Sequence, residues 1–201
     1  LSLLGPVSEI RWIYGASKLI DEYLAQAYLH GDGDDAGASG IRLVTVRFFN
    51  VTGPRQTGAY GMVVPRFVQA ALRGDPLTVY GDGKQIRCFC HVKDVVRAVM
   101  RLVEQPSASG QVFNVGSDEP VTIAELAERV LRITDSDASV VYIPYSEAYG
   151  HGVDDVARRV PDLTKLRKFL GFQHRYCLDD IVREMAEYYA VRGDASLSKP
   201  S

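Results

Sequence analysis

The sequence predicts an α/β fold built around a parallel sheet, and three observations support that expectation. Residues 17–28 carry apolar side chains at helical spacing, and residues 41–49 form an apolar run rich in Val and Phe, which together fit one helix–strand repeat of a parallel sheet. Short predicted strands and helices then alternate as far as residue 189. The composition, 46% hydrophobic and 24% charged over 201 residues, is typical of a globular protein that buries a sizeable core.

Glycine, proline and acidic residues mark the breaks between elements in the first half of the chain. Residues 31–40 contain only Gly, Asp, Ala and Ser and are predicted to be a solvated loop, because their acidic spacing does not match an EF-hand. Residues 50–60 are predicted to be a second loop, since they hold two glycines and a proline. The helix predicted over 64–73 ends at Gly74, which suits the C′ position.

In the second half, the clearest boundary is the capping box of Thr122 and Glu125, which opens a helix to about Ile133. The strand predicted over 77–80 ends at the turn Gly81-Asp82-Gly83. The other predicted elements are helices over 92–104, 162–170 and 178–189, and strands over 111–115 and 140–143. The polar residues 193–201 are predicted to be a disordered tail.

Charge and cysteine content narrow the classes of function. A formal net charge of -2 argues against a general nucleic-acid or acidic-membrane binder. No apolar run approaches the ~18 residues that span a bilayer, and residues 1–5 show no secretory signal pattern. Three cysteines, an odd and low number, are typical of a reducing compartment, so we expect a cytoplasmic protein.

One pair of residues carries evident chemistry. Tyr14 and Lys18 lie four positions apart in Tyr-Gly-Ala-Ser-Lys, so in a helix they share one face. A tyrosine hydroxyl is ordinarily too weak an acid to serve as a base at neutral pH, and a neighbouring ammonium stabilises its phenolate form. The pair is therefore a candidate acid/base unit, while a chance match on a helix surface is the alternative that the pair alone leaves open.

Six motifs in a fixed order give the pair its context. They are Tyr-Gly-Ala-Ser-Lys at 14–18, Arg-Phe-Phe-Asn-Val-Thr-Gly-Pro-Arg at 47–55, Leu-Thr-Val-Tyr-Gly-Asp-Gly at 77–83, Arg-Cys-Phe-Cys-His-Val-Lys-Asp at 87–94, Phe-Asn-Val-Gly at 113–116 and Pro-Asp-Leu-Thr-Lys at 161–165. With them the chain resembles, over residues 11–189, the extended short-chain dehydrogenase/reductase family of nucleotide-sugar epimerases, dehydratases and decarboxylases, UDP-glucose 4-epimerase among them.

The resemblance implies a fold class and a domain organisation. The chain would be the C-terminal part of a Rossmann-type doubly wound NAD-binding domain, residues 1–58 and 86–117, plus a smaller α/β substrate-binding domain, residues 59–85 and 118–192. The active site would lie between them. An intact protein of this family would form a homodimer through a helix bundle that includes the Tyr14–Lys18 helix.

The glycine-rich turn that seats the cofactor's pyrophosphate is not found in the 201 residues. Gly81 and Gly83 follow a predicted strand, but no third glycine follows at the required spacing, so they are predicted to form a plain turn. We therefore expect this chain alone to bind NAD weakly or not at all and to turn over no substrate.

The resemblance assigns catalysis and the contact with NAD to Tyr14 and Lys18, with Phe49 at the cofactor end of the sheet. Tyr14 would take the proton of the sugar's C4 hydroxyl while NAD takes the hydride, and Lys18 would bond the cofactor ribose. The family's additional Ser or Thr would precede Leu1, because Ser2 and Ser8 are too close to the tyrosine.

Diphosphate contacts are implied for three polar residues, each with a structural alternative. Asn50 would donate its amide to a phosphate oxygen, or it ends the strand as a turn residue. Arg87 and Arg159 would bind phosphate through their guanidinium forks, or they form surface ion pairs. Arg158 is adjacent and can take the role of Arg159, and Arg55 is either a phosphate contact or a structural ion pair.

The nucleoside base would be held by the segments around Val63, Leu77 and Tyr80. In the family these segments act through backbone groups and an aromatic face. Ordinary core packing explains the same three side chains equally well.

The segment Cys88-Phe89-Cys90-His91 suggests a metal site, but its spacing is poor for zinc, so we expect no metal. Strand alternation places both cysteines on one face, where they are predicted to be free and buried. Asp94 is predicted to cap the helix of residues 95–104 and not to act as a base.

Several functions remain open at this point. The leading hypothesis is NAD-dependent 4-epimerisation of a UDP-hexose through transient oxidation at C4. UDP-glucuronate decarboxylase and nucleoside-diphosphate-sugar 4,6-dehydratase are the alternative enzymes, since they share the Tyr-Lys oxidation. An inactive fragment that only binds a nucleotide, or an interaction module, is the non-enzymatic alternative.

Overall fold

The computed structural model describes residues 12–30, 41–58, 62–145, 147 and 156–192. The predicted loop at 31–40 and the predicted tail at 193–201 lie outside the described residues. Helices are α1 (Trp12–His30), α2 (Val63–Arg73), α3 (Val92–Glu104), α4 (Ile123–Thr134), α5 (Thr164–Leu170) and α6 (Leu178–Arg192), with a 3-10 turn at Pro106–Ala108. Strands are β1 (Thr45–Phe48), β2 (Val51–Thr52), β3 (Leu77–Tyr80), β4 (Ile86–Arg87), β5 (Cys90–His91), β6 (Val112–Val115), β7 (Val121–Thr122) and β8 (Val140–Ile143).

The strands pair in short ladders, mostly parallel where the register is given. β1 pairs with β6, β2 with β5, β3 with β8 and β4 with β7. In the parallel pair of β3 and β8, Leu77 lies opposite Val140 and Tyr80 opposite Ile143. β2 and β5 are also parallel, whereas β4 and β7 are antiparallel. Parallel strands connected through helices are the α/β arrangement that the sequence predicts.

The chain divides into two compact units. The first unit comprises Leu1–Arg47 and Val99–Phe113, and the second comprises Phe48–Ala98 and Asn114–Ser201. In the first unit, Gln26 on α1 donates to the backbone oxygen of Gly110 at 3.3 Å. In the second unit, α2 and α4 pack on β3, and α6 packs on α2 and α4, around a shared apolar core that includes Phe67, Leu126 and Ile181. The predicted division into a cofactor domain and a substrate domain stays a prediction.

Local sequence signals explain the best-defined helices. α2 buries Val64, Phe67 and Val68 on one face, and Gly74 ends it in the left-handed conformation at φ 72°. The predicted capping box is confirmed at α4, where Thr122 accepts from the Glu125 amide and Glu125 accepts from the Thr122 amide.

Several predicted boundaries differ from the observed ones, most clearly at the starts of α1, β1 and α5. α1 begins at Trp12 and not at residue 17, so Tyr14 lies within its first turn. β1 begins at Thr45 and not at residue 41, because Leu43 bonds the 109–110 turn through both its amide and its carbonyl. α5 begins at Thr164 and not at residue 162, because the Asp162 carboxylate accepts the Thr164 amide at 2.9 Å and so precedes the helix.

No helix within the described ranges is long and apolar enough to cross a membrane.

Candidate active site

Tyr14 and Lys18 lie one helical turn apart on α1, as the spacing predicts. The Lys18 Nζ atom is 5.9 Å from the centre of the Tyr14 ring, and the Tyr14 side chain is 74% exposed. Lys18 also donates to Asp21 at 2.8 Å, and this hydrogen bond raises the pKa of the Lys18 ammonium.

Glu22 and Arg47 fix α1 against β1. Both are partly buried, and they share two hydrogen bonds of 2.6 Å, one from Nε and one from Nη2 of the arginine. Glu22 follows Lys18 by four positions on the helix, so this ion pair lies one turn from Lys18.

Phe49 and Asn50 follow directly on the end of β1. The Phe49 amide donates to the Val115 carbonyl at 3.0 Å, which continues the β1–β6 pairing. Asn50 adopts a left-handed conformation at φ 39°, its side-chain amide donates to the Cys88 carbonyl at 2.8 Å, and its own carbonyl accepts from Cys90 at 3.1 Å. Asn50 therefore lies between β1 and β2 in a left-handed conformation, and it bonds the segment next to Arg87.

Arg87 is a buried arginine, with 8% of its surface exposed. Its Nη1 atom donates to the carbonyls of Ile86 at 2.8 Å and Val156 at 2.7 Å. The guanidinium is thus anchored to the backbone of two segments.

The β-bridge formed by residue 158 distinguishes Arg159 from its neighbour Arg158. Ile86 and Arg158 form a parallel β-bridge, with the Ile86 amide bonded to Ala157 and the Arg159 amide bonded to Ile86. Residues that face each other in a parallel bridge share a side, so Arg158 lies on the side of Ile86, and strand alternation predicts Arg159 on the side of Arg87. The geometry therefore favours Arg159 as the companion of Arg87.

Tyr80 at the end of β3 is coupled to an arginine that the sequence analysis did not single out. Arg66 on α2 donates to the Tyr80 hydroxyl at 3.1 Å, and its guanidinium carbon lies 5.0 Å from the ring centre. Leu77 is fully buried in the core, so any contribution to a ligand site comes from its backbone. Val63 is the half-buried first residue of α2.

The Cys-Phe-Cys-His segment contains two free, buried cysteines, which confirms that prediction. Burial raises the pKa of the Cys88 thiol to about 11 and that of the Cys90 thiol to about 12, so both stay protonated at neutral pH. No metal-binding cluster of His, Cys, Asp and Glu occurs among the residues that the structure describes.

The prediction that Asp94 caps a helix starting at residue 95 is wrong. α3 already begins at Val92, and the acceptor at its start is His91, whose Nδ1 atom accepts the Lys93 amide at 3.0 Å. The fully buried Asp94 carboxylate accepts instead from the backbone amides of Arg175 and Tyr176, at 3.0 and 3.2 Å, and from Arg97. Asp94 therefore anchors the loop before α6.

Residues 2–116, more than half of the chain, match the family model described as the NAD dependent epimerase/dehydratase family. The chain belongs to this family.

Similar proteins of the epimerase/dehydratase family have several activities. UDP-N-acetyl-alpha-D-glucosaminuronate decarboxylase of Bacillus cytotoxicus is 36% identical over 188 residues, which cover 93% of this chain and 56% of that protein. UDP-N-acetylglucosamine 4-epimerase from Methanobrevibacter ruminantium, solved with UDP-N-acetylmuramic acid, has a TM-score of 0.75 at 28% identity and covers 89% of this chain and 54% of that one. MoeE5, solved with UDP-glucuronic acid and NAD, has a TM-score of 0.74 at 31% identity, with coverage of 89% and 55%.

These comparisons confirm the predicted fold class. The chain has the α/β fold of Rossmann-type epimerases and spans about half the length of the relatives it matches. Its family is NAD-dependent, and MoeE5 was solved with NAD bound.

The donor chemistry on α1 fits that cofactor. Lys18 presents an exposed ammonium with three donors, and Tyr14 an exposed hydroxyl, which together suit the hydroxyl groups of a nicotinamide ribose. Phe49 and Gly116 pack closely at the strand ends, since a Cβ on Gly116 would lie 2.7 Å from that of Phe49.

Two interacting pairs in this member of the epimerase/dehydratase family were missed by sequence reasoning. Glu22 lies four positions after Lys18, and this spacing could have predicted that the two charged residues share a helix face. Its partner Arg47 lies in a different element, and so does the partner of Tyr80, Arg66. No local pattern relates such residues to each other.

Proposed function

We propose that this protein acts on a UDP-linked sugar by transient oxidation at C4, with Tyr14 as the acid/base group and Lys18 as its charged partner. The observation that carries the proposal is the placement of a hydroxyl and an ammonium one turn apart on α1. When bound, NAD supplies the acceptor and later the donor of the C4 hydride. Tyr14 takes the proton of the C4 hydroxyl and returns a proton when the ketone is reduced.

The second unit contains groups suited to a nucleoside diphosphate. Arg87 and Arg159 each follow one residue of the Ile86–Arg158 bridge, and on one side of it they would give two positive charges for a diphosphate. Asn50 bonds the backbone directly after Arg87. Tyr80, coupled to Arg66, offers an aromatic surface for a pyrimidine base.

Decarboxylation of a UDP-uronic acid is the fate of the ketone that we propose. Its support is the 36% identity to a UDP-uronate decarboxylase over 93% of this chain. A ketone at C4 lies β to the carboxylate carried by C5, so the C5–C6 bond breaks and carbon dioxide leaves. The electron pair forms an enolate that is protonated at C5, and reduction at C4 completes the reaction.

4-Epimerisation, the leading hypothesis from the sequence, is the second candidate. The structural likeness to a UDP-N-acetylglucosamine 4-epimerase supports it. In that reaction the 4-keto sugar turns over in the site, and hydride returns to its opposite face.

In the deciding experiment, the intact protein is incubated separately with UDP-glucuronic acid, with UDP-N-acetylglucosaminuronic acid and with UDP-glucose. The products are identified by NMR and mass spectrometry. We expect carbon dioxide and a UDP-pentose from a uronic acid. Recovery of the C4 epimer alone would favour the second candidate. No product from any of them would contradict both, and would favour the inactive or purely binding alternative.

Matched variants test the acid/base assignment. Tyr14→Phe removes only the hydroxyl, and we expect it to abolish turnover, while Lys18→Met should lower it strongly. Tyr23→Phe is the control, because Tyr23 lies on the same helix and is 68% exposed. Equal activity in Tyr14→Phe and Tyr23→Phe would show that Tyr14 is not the base.

The 201-residue chain by itself is a separate case. We propose that it binds NAD weakly and turns over no substrate, and stoichiometric NAD in the purified chain would contradict this. We also propose a homodimer through α1, where Ile13, Ile20 and Leu24 are largely exposed, and sedimentation of the intact protein tests it. A cytoplasmic location stays a prediction from cysteine content.

A further inference from the structure

Arg87 makes two contacts that phosphate binding does not require. Its Nη1 atom donates to the carbonyl of Ile86, its chain neighbour, and to the carbonyl of Val156, which is distant in sequence. The 2.7 Å bond to Val156 is a charge-assisted hydrogen bond from a residue that is only 8% exposed, so it is well shielded from water.

The segment that this bond fixes, residues 156–159, is the one that carries Arg159. Its backbone pairing to β4 consists of the Ile86 amide bonded to Ala157 at 2.8 Å and the Arg159 amide bonded to Ile86 at 3.1 Å. The pairing is a single isolated bridge. So short a pairing is marginal without further contacts.

We propose that Arg87 is a positioning residue for Arg159: its bond to the Val156 carbonyl holds residues 156–159 in register on β4 and keeps both guanidinium groups on one side for a diphosphate. The diphosphate as ligand rests on the proposed function, whereas the positioning of the segment does not. Arg87 thus joins two parts of the site that are far apart in the chain.

The role demands arginine and not merely a positive charge. The Nη1 atom uses two N–H groups on two carbonyls, and the planar guanidinium holds these two donors in a fixed geometry. A lysine ammonium is a point charge on a flexible stem and cannot reproduce that fixed geometry. Arg87→Lys therefore keeps the charge and removes the positioning.

The experiment compares Arg87→Lys with Arg159→Met in the 201-residue chain, using amide hydrogen exchange by NMR without ligand and calorimetric titration with UDP. In Arg87→Lys we expect the Ile86 and Arg159 amides to exchange on the order of tenfold faster, as for the loss of one hydrogen bond. The Gly81 amide, bonded to Ile143 at 2.9 Å in the β3–β8 pairing, should be unchanged and shows that the fold is intact.

Arg159→Met separates position from binding. This variant should leave amide exchange at Ile86 unchanged while it weakens UDP binding. The loss of UDP affinity in the double variant should be smaller than the affinity losses of the two single variants combined. Unchanged exchange in Arg87→Lys would overturn the proposal. If the Arg87→Lys amides exchange faster but the wild-type chain does not bind UDP, the positioning role is supported and the proposed substrate is contradicted.

Discussion

Arg47 and Glu22 form a two-pronged ion pair, with Nε–Oε1 and Nη2–Oε2 distances of 2.6 Å, and this pair ties the helix of Tyr14 and Lys18 to β1. The hydrogen bond from Arg47 lowers the pKa of Glu22. A lowered folded-state pKa stabilises the fold above the unfolded value, ~4.3 for Glu, and this contribution is lost as the pH falls through the folded value.

Glu22→Gln tests this ion pair. We expect a loss of about 1 kcal/mol in the free energy of unfolding at pH 7, and we expect the difference from wild type to shrink as the pH falls through the lowered pKa of Glu22, because both proteins then carry a neutral group. Chemical denaturation across this pH range measures it. Asp21→Asn, at an exposed pair on the same helix, should change little. A loss that is the same at pH 3 and pH 7 would show that the charge is not responsible.

Gly116→Ala should destabilise the second unit. The added Cβ would lie 2.7 Å from the Phe49 Cβ and 3.2 Å from the Phe49 carbonyl, so backbone must move, at a cost of about 1–3 kcal/mol. Gly58→Ala is the matched control, because its nearest neighbour is the flexible end of Gln69, and we expect a change within about 0.5 kcal/mol. Thermal unfolding compares the two, and equal melting temperatures would contradict the packing argument.

The three cysteines should differ sharply in reactivity. Cys88 and Cys90 are buried with a raised pKa, about 11 and about 12, whereas Cys177 is exposed. At pH 8 we expect iodoacetamide to modify Cys177 alone, as read by peptide mass mapping, and all three cysteines to react in guanidinium chloride. The thiols have a pKa of ~8.5 in the unfolded chain, whereas the buried thiols stay protonated to higher pH. The fold should therefore also lose stability as the pH rises above that value. Rapid native labelling of Cys90 would contradict its burial.

Asp94→Asn should cost more stability than most acidic substitutions in this chain. The carboxylate is fully buried and accepts from two backbone amides and from Arg97, and its neutral replacement leaves the partly buried guanidinium of Arg97 with a weaker partner. We expect about 2–4 kcal/mol of destabilisation in chemical denaturation. Asp75→Asn, at a side chain that is 56% exposed, should stay within about 0.5 kcal/mol. Similar losses in the two variants would show that burial is not decisive.

The sequence signals that succeeded are local ones. Gly74 stops α2 because only a residue free of Cβ strain adopts φ 72° readily, and Thr122 with Glu125 opens α4 through a reciprocal bond over three positions. Tyr14 and Lys18 share a face because the helix period requires it. Each signal is contained within a few residues, so the order of residues alone determines it.

The failures concern partners that the fold brings from elsewhere. Asp94 stands at a plausible capping position, yet its carboxylate bonds the loop at Arg175, and nothing near residue 94 signals that loop. Arg158 and Arg159 are equivalent in sequence, and only the bridge of residue 158 with Ile86 distinguishes their sides. Such distinctions depend on strand register, which is set by tertiary packing.

The order of pairing in the second unit has a consequence during synthesis on the ribosome. β3 needs β8 as its parallel neighbour, and the core around it is closed by Ile181, Val182 and Met185 of α6, all fully buried. The first half of this unit therefore leaves the ribosome with an unpaired strand and uncovered apolar side chains. These are paired and covered only after β8 and α6 have been synthesised. Premature termination before α6 is expected to yield an aggregating product, and cellular chaperones are expected to engage the nascent chain during that interval.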